Sequence, residues 1–180
     1  MMSENTKQGL LVLKEAMQLE IDGEQFYTEA ARKTNHPYGK RLFERLAEEE
    51  GIHLKKVQEI YASLEKGQKW AAAPHLARVD SSIQNIFKEA GTELNKMVKA
   101  STSDLEAIKI AIDMEEKSIN LYDGQSKRAG DPFEKRFFLM LSYEERGHYL
   151  ALLDSYDYLT DPQGWLESKE RRLLEGDSGI

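Results

Sequence analysis

The 180-residue sequence contains no cysteine. That absence excludes disulfide frameworks, thiolate zinc sites, iron–sulfur clusters, CxxC redox pairs and cysteine nucleophiles, and leaves oxygen and nitrogen donors for any metal chemistry. Glycine (12) and proline (4) are sparse, too few for a loop-rich fold. Basic residues are outnumbered, 25 Lys and Arg against 32 Asp and Glu, for a net charge of −7. The positive charges are scattered among negative ones, so no basic stripe exists to neutralise phosphates and nucleic acid is not expected as a partner. Long apolar runs are missing too: Leu10 to Leu13 is the longest near the start, far short of the roughly 20 residues of a membrane helix. No cleavable signal precedes it. The expectation is a soluble cytoplasmic protein with no membrane partner. A chain of this length buries roughly 70% of its unfolded surface and needs no metal merely to fold.

Between the clusters of glycine and proline, apolar residues fall at steps of three and four, which predicts helix throughout. A first helix should run from about Thr6 to Lys33, with Leu10, Leu13, Met17, Ile21 and Tyr27 along its inner side, and stop at Asn35-His36-Pro37. Pro37 suits the first turn of a second helix, which carries Leu42, Phe43, Leu46, His53, Val57, Ile60 and Leu64 and ends at Lys66-Gly67. From 67 to 102 the pattern loosens into a long crossover with one short helix near 82–89. Ser103 or Asp104 can cap a third helix reaching Arg128. A fourth follows from Pro132 to about Leu159, and a short one from Pro162 docks through Trp165 and Leu166. The expected architecture is all-α: a four-helix bundle over 1–160, from hairpins at 6–66 and 103–160 with crossover 67–102, and a tail at 161–180. An elongated coiled coil is the alternative, disfavoured by the short turns.

The two hairpins are copies. An offset of 95 lays Pro37 on Pro132, Phe43 on Phe138, Leu46 on Leu141 and Tyr61 on Tyr156. Over 16–64 the identities number 13 of 49 without a gap, where random composition gives about 3, so the repeat is not a coincidence. Among the matched pairs that are not plain apolar packing residues are Glu20 with Glu115, Glu50 with Glu145, His53 with His148, and Tyr27 with Tyr122.

Glu50-Gly51-Ile52-His53 and Glu145-Arg146-Gly147-His148 each put a carboxylate and an imidazole three residues apart on one helix face, where the pair can chelate one ion. Glu20 and Glu115 lie in the inward stripes of the first and third helices. One Glu from each of two helices plus a Glu-x-x-His from each of the other two is the ligand set of di-iron and di-manganese carboxylate bundles. Several ionised carboxylates in a low-dielectric interior repel one another, a conflict that two divalent ions remove. Any one of the six alone reads as a surface charge on an acidic helix; the six in register read as a metal site. Glu49 and Glu144 directly precede the ligand carboxylates and either accept a hydrogen bond from a ligand imidazole or are solvated. Tyr27 and Tyr122, two turns beyond Glu20 and Glu115, either bond a ligand carboxylate or pack in the core. His36 and His75 are assigned to the surface, and Trp70 and Trp165 to anchoring the crossover and the tail.

The segments Glu20-x-x-x-Glu-x-Phe-Tyr27 and Leu46-Ala-Glu-Glu-Glu-x-x-His53 resemble the rubrerythrin branch of the ferritin-like superfamily, and the likeness spans roughly residues 8 to 160. The resemblance implies a ferritin-like bundle and a centre of two iron ions, with manganese or a mixed pair as alternatives. It also implies a non-haem di-iron peroxidase or oxidase that reduces hydrogen peroxide or dioxygen, and a homodimer. No cysteine-ligated rubredoxin module follows the bundle, so electrons are expected from an external donor such as a rubredoxin. Many rubrerythrins carry a further Glu three residues after the one on the third helix. Here that position is Ser118, and its repeat counterpart is Gly23. This departure favours a symmetric six-residue centre over ligand-switching chemistry, with Glu24 the candidate substitute. A ferritin-like iron-oxidising storage protein is the rival reading, and a bundle with an idle site a third.

Overall fold

The computed structural model describes residues 4–67, 70 and 102–174. Among them are five helices, α1 (Glu4–Lys33), α2 (Pro37–Glu65), α3 (Thr102–Arg128), α4 (Pro132–Thr160) and α5 (Pro162–Leu174), and no strand. The expected crossover helix near 82–89 and His75 lie outside the described residues. Two expected starts shift: α1 begins at Glu4 rather than near Thr6, and α3 at Thr102, which puts Asp104 in its first turn rather than at the cap.

Both hairpin turns are set by local chemistry. Pro132 occupies the first turn of α4, and the Asp131 side chain ahead of it accepts from the backbone N–H groups of Phe133 (2.7 Å) and Glu134 (3.3 Å). These are two of the donors that a helix start leaves without an intrahelical partner. The matching position in the first hairpin is His36, and here the surface assignment is corrected. His36 is buried, its Nδ1 accepts from Gly39 N at 3.4 Å, and its own N–H bonds Thr34 Oγ1. A neutral imidazole nitrogen can take the role of a capping oxygen, which periodicity does not reveal. At the other end of α2, Gly67 adopts φ 75°, the left-handed conformation that a residue without Cβ enters at no steric cost.

The helices pair lengthwise, α1 with α2 and α3 with α4, and the hairpins meet through α1 with α3 and α2 with α4. The interior divides into two apolar clusters. One gathers Tyr27, Leu42, Phe43 and Leu46 from the first hairpin with Ile108, Leu152 and Leu159 from the second. The other reverses the contribution, with Leu13, Val57, Ile60 and Leu64 from the first hairpin and Tyr122, Phe137, Phe138 and Leu141 from the second. This is the arrangement two copies of a hairpin produce when related by a twofold. Each tryptophan, also 95 residues apart, closes one cluster: Trp70 against Phe137 and Phe138, Trp165 against Tyr158 at 5.3 Å between ring centroids. Trp165 Nε1 also donates to Asp154 (3.0 Å), which ties α5 to α4.

Replacing the better-satisfied cap, Asp131→Ala, should cost about 1 kcal/mol and lower the melting temperature by about 2–4 °C. Thermal unfolding of the metal-free protein checks this, and an unchanged midpoint would show that α4 does not depend on its cap.

Candidate metal centre

Between the apolar clusters lies a layer of charge. Glu20 comes from α1, Glu50 and His53 from α2, Glu115 from α3, and Glu145 and His148 from α4, all at most 4% exposed. Helical spacing accounts for the delivery: residues three apart on α2 and α4 rise together on the inward face. All six residues that the spacing singled out are thus brought together.

The six fall into two overlapping groups. One ligand atom from each of Glu20, Glu50, His53 and Glu145 lies within 4.8 Å of the others, and the same holds for Glu50, Glu115, Glu145 and His148. His53 Nδ1 is 3.4 Å from Glu20 Oε2, 3.6 Å from Glu50 Oε2 and 3.1 Å from Glu145 Oε1. His148 Nδ1 is 3.5 Å from Glu115 Oε1, 3.2 Å from Glu50 Oε1 and 3.3 Å from Glu145 Oε2. Glu50 and Glu145 therefore each turn one oxygen to either imidazole, while Glu20 and Glu115 each serve one side. The rings stack 5.4 Å apart.

Around this layer the contacts cross between hairpins. Tyr27 donates to Glu115 and Tyr122 to Glu20, so each phenol serves the carboxylate of the opposite repeat rather than the one on its own helix. Glu49 Oε2 lies 2.9 Å from His148 Nε2, and Glu144 Oε2 lies 2.8 Å from His53 Nε2. Of the alternatives for Glu49 and Glu144, contact with an imidazole is the one adopted. Periodicity places these residues on the inner side but carries no information about which partner faces them. The sequence reading passed over Arg45, whose Nε bonds Glu49 Oε1 at 2.7 Å; an Arg four residues before a Glu on one helix was the available signal.

Gly23 has a role that its position foretells only in hindsight. A Cβ there would sit 3.3 Å from Glu50 Cγ and Cδ, so the space beside Glu20 is already taken by the Glu50 side chain. Glu24, the candidate substitute ligand, lies instead against Gly51 and belongs to neither group of ligand atoms among the described residues.

The electrostatics without metal show what the cluster is suited to hold. Burial and the charge of Glu145 push Glu20 and Glu115 well above the ordinary carboxyl range. Burial would do the same to Glu145, but His53 and His148 hold it well below, and the imidazoles also pull Glu50 down. Burial opposes charge on the imidazoles, yet the carboxylates, Glu145 foremost for His53 and Glu115 for His148, raise both well above their usual range. Carboxylates and imidazoles thus compete for protons across the layer, each group's charge set by its neighbours. Two divalent ions with four carboxylates and two neutral imidazoles would form a neutral set, which relieves that competition. Glu20 Oε2, Glu145 Oε1, His53 Nδ1 and His148 Nδ1 are buried, face the cluster, and have no aligned hydrogen-bond partner among the described residues. Orphaned inward donors of this kind fit a metal, and the oxygen and imidazole set suits iron, manganese or zinc.

Burial, and then the neighbouring Glu115 or Glu20, raises the Tyr27 and Tyr122 hydroxyls well above the usual phenol range, so both remain proton donors. Tyr27→Phe or Tyr122→Phe strips a buried carboxylate of its donor. Each should destabilise the metal-free protein by about 1–3 kcal/mol, and by similar amounts given the twofold. Urea unfolding measures both, and a neutral effect would mean the carboxylates find other donors.

No helix among the described residues is long and apolar enough to cross a membrane. Comparison with curated proteins and with solved structures returned no match. The family model described as Rubrerythrin matches residues 12–156, a span that holds most of both hairpins and every residue of the charged layer. With that match over an all-α bundle of two repeated hairpins around a buried Glu and His cluster, the chain belongs to the rubrerythrin family and has the ferritin-like fold.

Proposed function

We propose that the protein is a non-haem di-iron oxidoreductase that reduces hydrogen peroxide, or dioxygen, with electrons from an external donor such as a rubredoxin. The observation that carries this reading is the pair of shared carboxylates: Glu50 and Glu145 each offer one oxygen to either side of the layer. On this reading Glu20 and His53 would hold one ion and Glu115 and His148 the other, with Glu50 and Glu145 within reach of both. When bound, a ferrous pair supplies two electrons at one place, the number that splits the O–O bond of hydrogen peroxide into two waters with uptake of two protons.

The chain's own residues give that chemistry its setting. Near-complete burial of the six side chains excludes bulk water from the centre. The phenols of Tyr27 and Tyr122 hold Glu115 and Glu20 in place and keep a proton beside each. Glu49, facing His148 Nε2, fixes the ring so that Nδ1 points inward.

Anaerobic loading with ferrous iron should bring about two ions per chain. Peroxide added to the reduced protein should then be consumed one molecule per iron pair, with a change in near-ultraviolet absorption. Glu50→Ala and His148→Ala should each lower the metal content and abolish turnover. Metal content below about one ion per chain, unchanged in those variants, overturns the site. A large cage on size-exclusion chromatography that accumulates iron well beyond the pair selects the storage reading, whereas a homodimer turning over peroxide supports the enzyme.

A further inference from the structure

The repeat supplies an internal control, because the two halves of the charged layer match in every ligand and differ in what stands behind the imidazoles. Behind His148, Glu49 is 1% exposed and held on both sides. One oxygen bonds His148 Nε2 at 2.9 Å, and the other accepts from Arg45 Nε at 2.7 Å. Arg45 is fixed in turn by a second contact, Nη1 to Glu48 at 2.7 Å. Behind His53 the equivalent carboxylate, Glu144, has Met140 where Arg45 would be. Its side chain is 15% exposed, and its cationic neighbour is Lys56 at 3.7 Å, from α2. Glu144 Oε2 and His53 Nε2 come within 2.8 Å but without the alignment of a hydrogen bond.

Charge does not separate the two halves, since each carboxylate has one cation beside it. Rigidity does. A guanidinium presents fixed donors, so little freedom is lost per bond, whereas an ammonium on a four-carbon stem at 3.7 Å holds its partner loosely. An imidazole whose outer nitrogen is hydrogen-bonded to a fixed carboxylate is locked in the tautomer and orientation a metal needs, and loss of such a partner lowers metal affinity about 10–100-fold.

From this asymmetry we propose that the two metal positions are unequal, with Arg45 as the positioning residue that makes the Glu115–His148 half the tighter one, filled first, and the Glu20–His53 half the looser one, filled second. The proposal rests on the ligand set put forward above.

Titration of the metal-free protein with cobalt(II) alone, followed by calorimetry and by visible absorption, tests it. Two binding steps are expected, separated by roughly 10–100-fold. His53→Ala should remove the weaker step and His148→Ala the tighter. Arg45→Met, which copies the second hairpin, should weaken the tight step until the two merge, while Arg45→Lys restores part of the gap. Met140→Arg, which copies the first hairpin, should strengthen the weak step; it tests the idea even where Arg45→Met folds poorly. Two equal steps in the unaltered protein, or steps that neither Arg45→Met nor Met140→Arg shifts, overturn the proposal while leaving the ligand set intact. A stoichiometry below about one cobalt per chain overturns the ligand set itself, and the inequality with it.

Discussion

Four carboxylates held together in the dry centre of a helical bundle repel one another, and much of the structure answers that repulsion. Glu20, Glu50, Glu115 and Glu145 are nearly fully buried, in surroundings where like charges drive protonation. Two imidazoles face the carboxylates, and two phenols donate to the outer pair. The apolar clusters pack on either side of the layer. Four carboxylates match the charge of two divalent ions, so the layer is suited to a di-metal site.

The internal twofold accounts for how so short a chain assembles eight oriented side chains. One hairpin supplies half the set, and its copy supplies the other half in reversed orientation, so that Tyr27 serves Glu115 as Tyr122 serves Glu20. Departures from the twofold are then informative. Met140 stands where the first hairpin has Arg45, and Gly23 opposite Ser118 makes room for Glu50. His36 opposite Asp131 is a different kind of departure, in which two unlike side chains perform the same capping task.

The helices and the six clustered residues were legible because both follow from period. Apolar residues at steps of three and four define the inner face, proline marks the start of the second helix in each hairpin, and a carboxylate three residues before an imidazole must share that face. His36 was not legible, since a histidine at a turn looks the same whether it caps a helix or meets solvent. Arg45 left only its spacing four residues before Glu49 as a trace, because an Arg beside a buried Glu differs from a solvated one only through what buries it.

The sequence by itself determined the helices, the repeat and the inward register of Glu20, Glu50, His53, Glu115, Glu145 and His148, because these depend on contacts within a few residues along one helix. Tertiary structure alone decided the partners. Tyr27 bonds Glu115 rather than Glu20, Glu49 faces His148 rather than His53, and Glu50 and Glu145 are shared. Those pairings depend on how two hairpins dock across the bundle, a distance of 88 or 99 residues along the chain for the two hydrogen-bonded pairs, and no local period encodes that choice. The absence of cysteine, which excluded so much, is consistent with the outcome: the centre is built from oxygen and nitrogen donors alone.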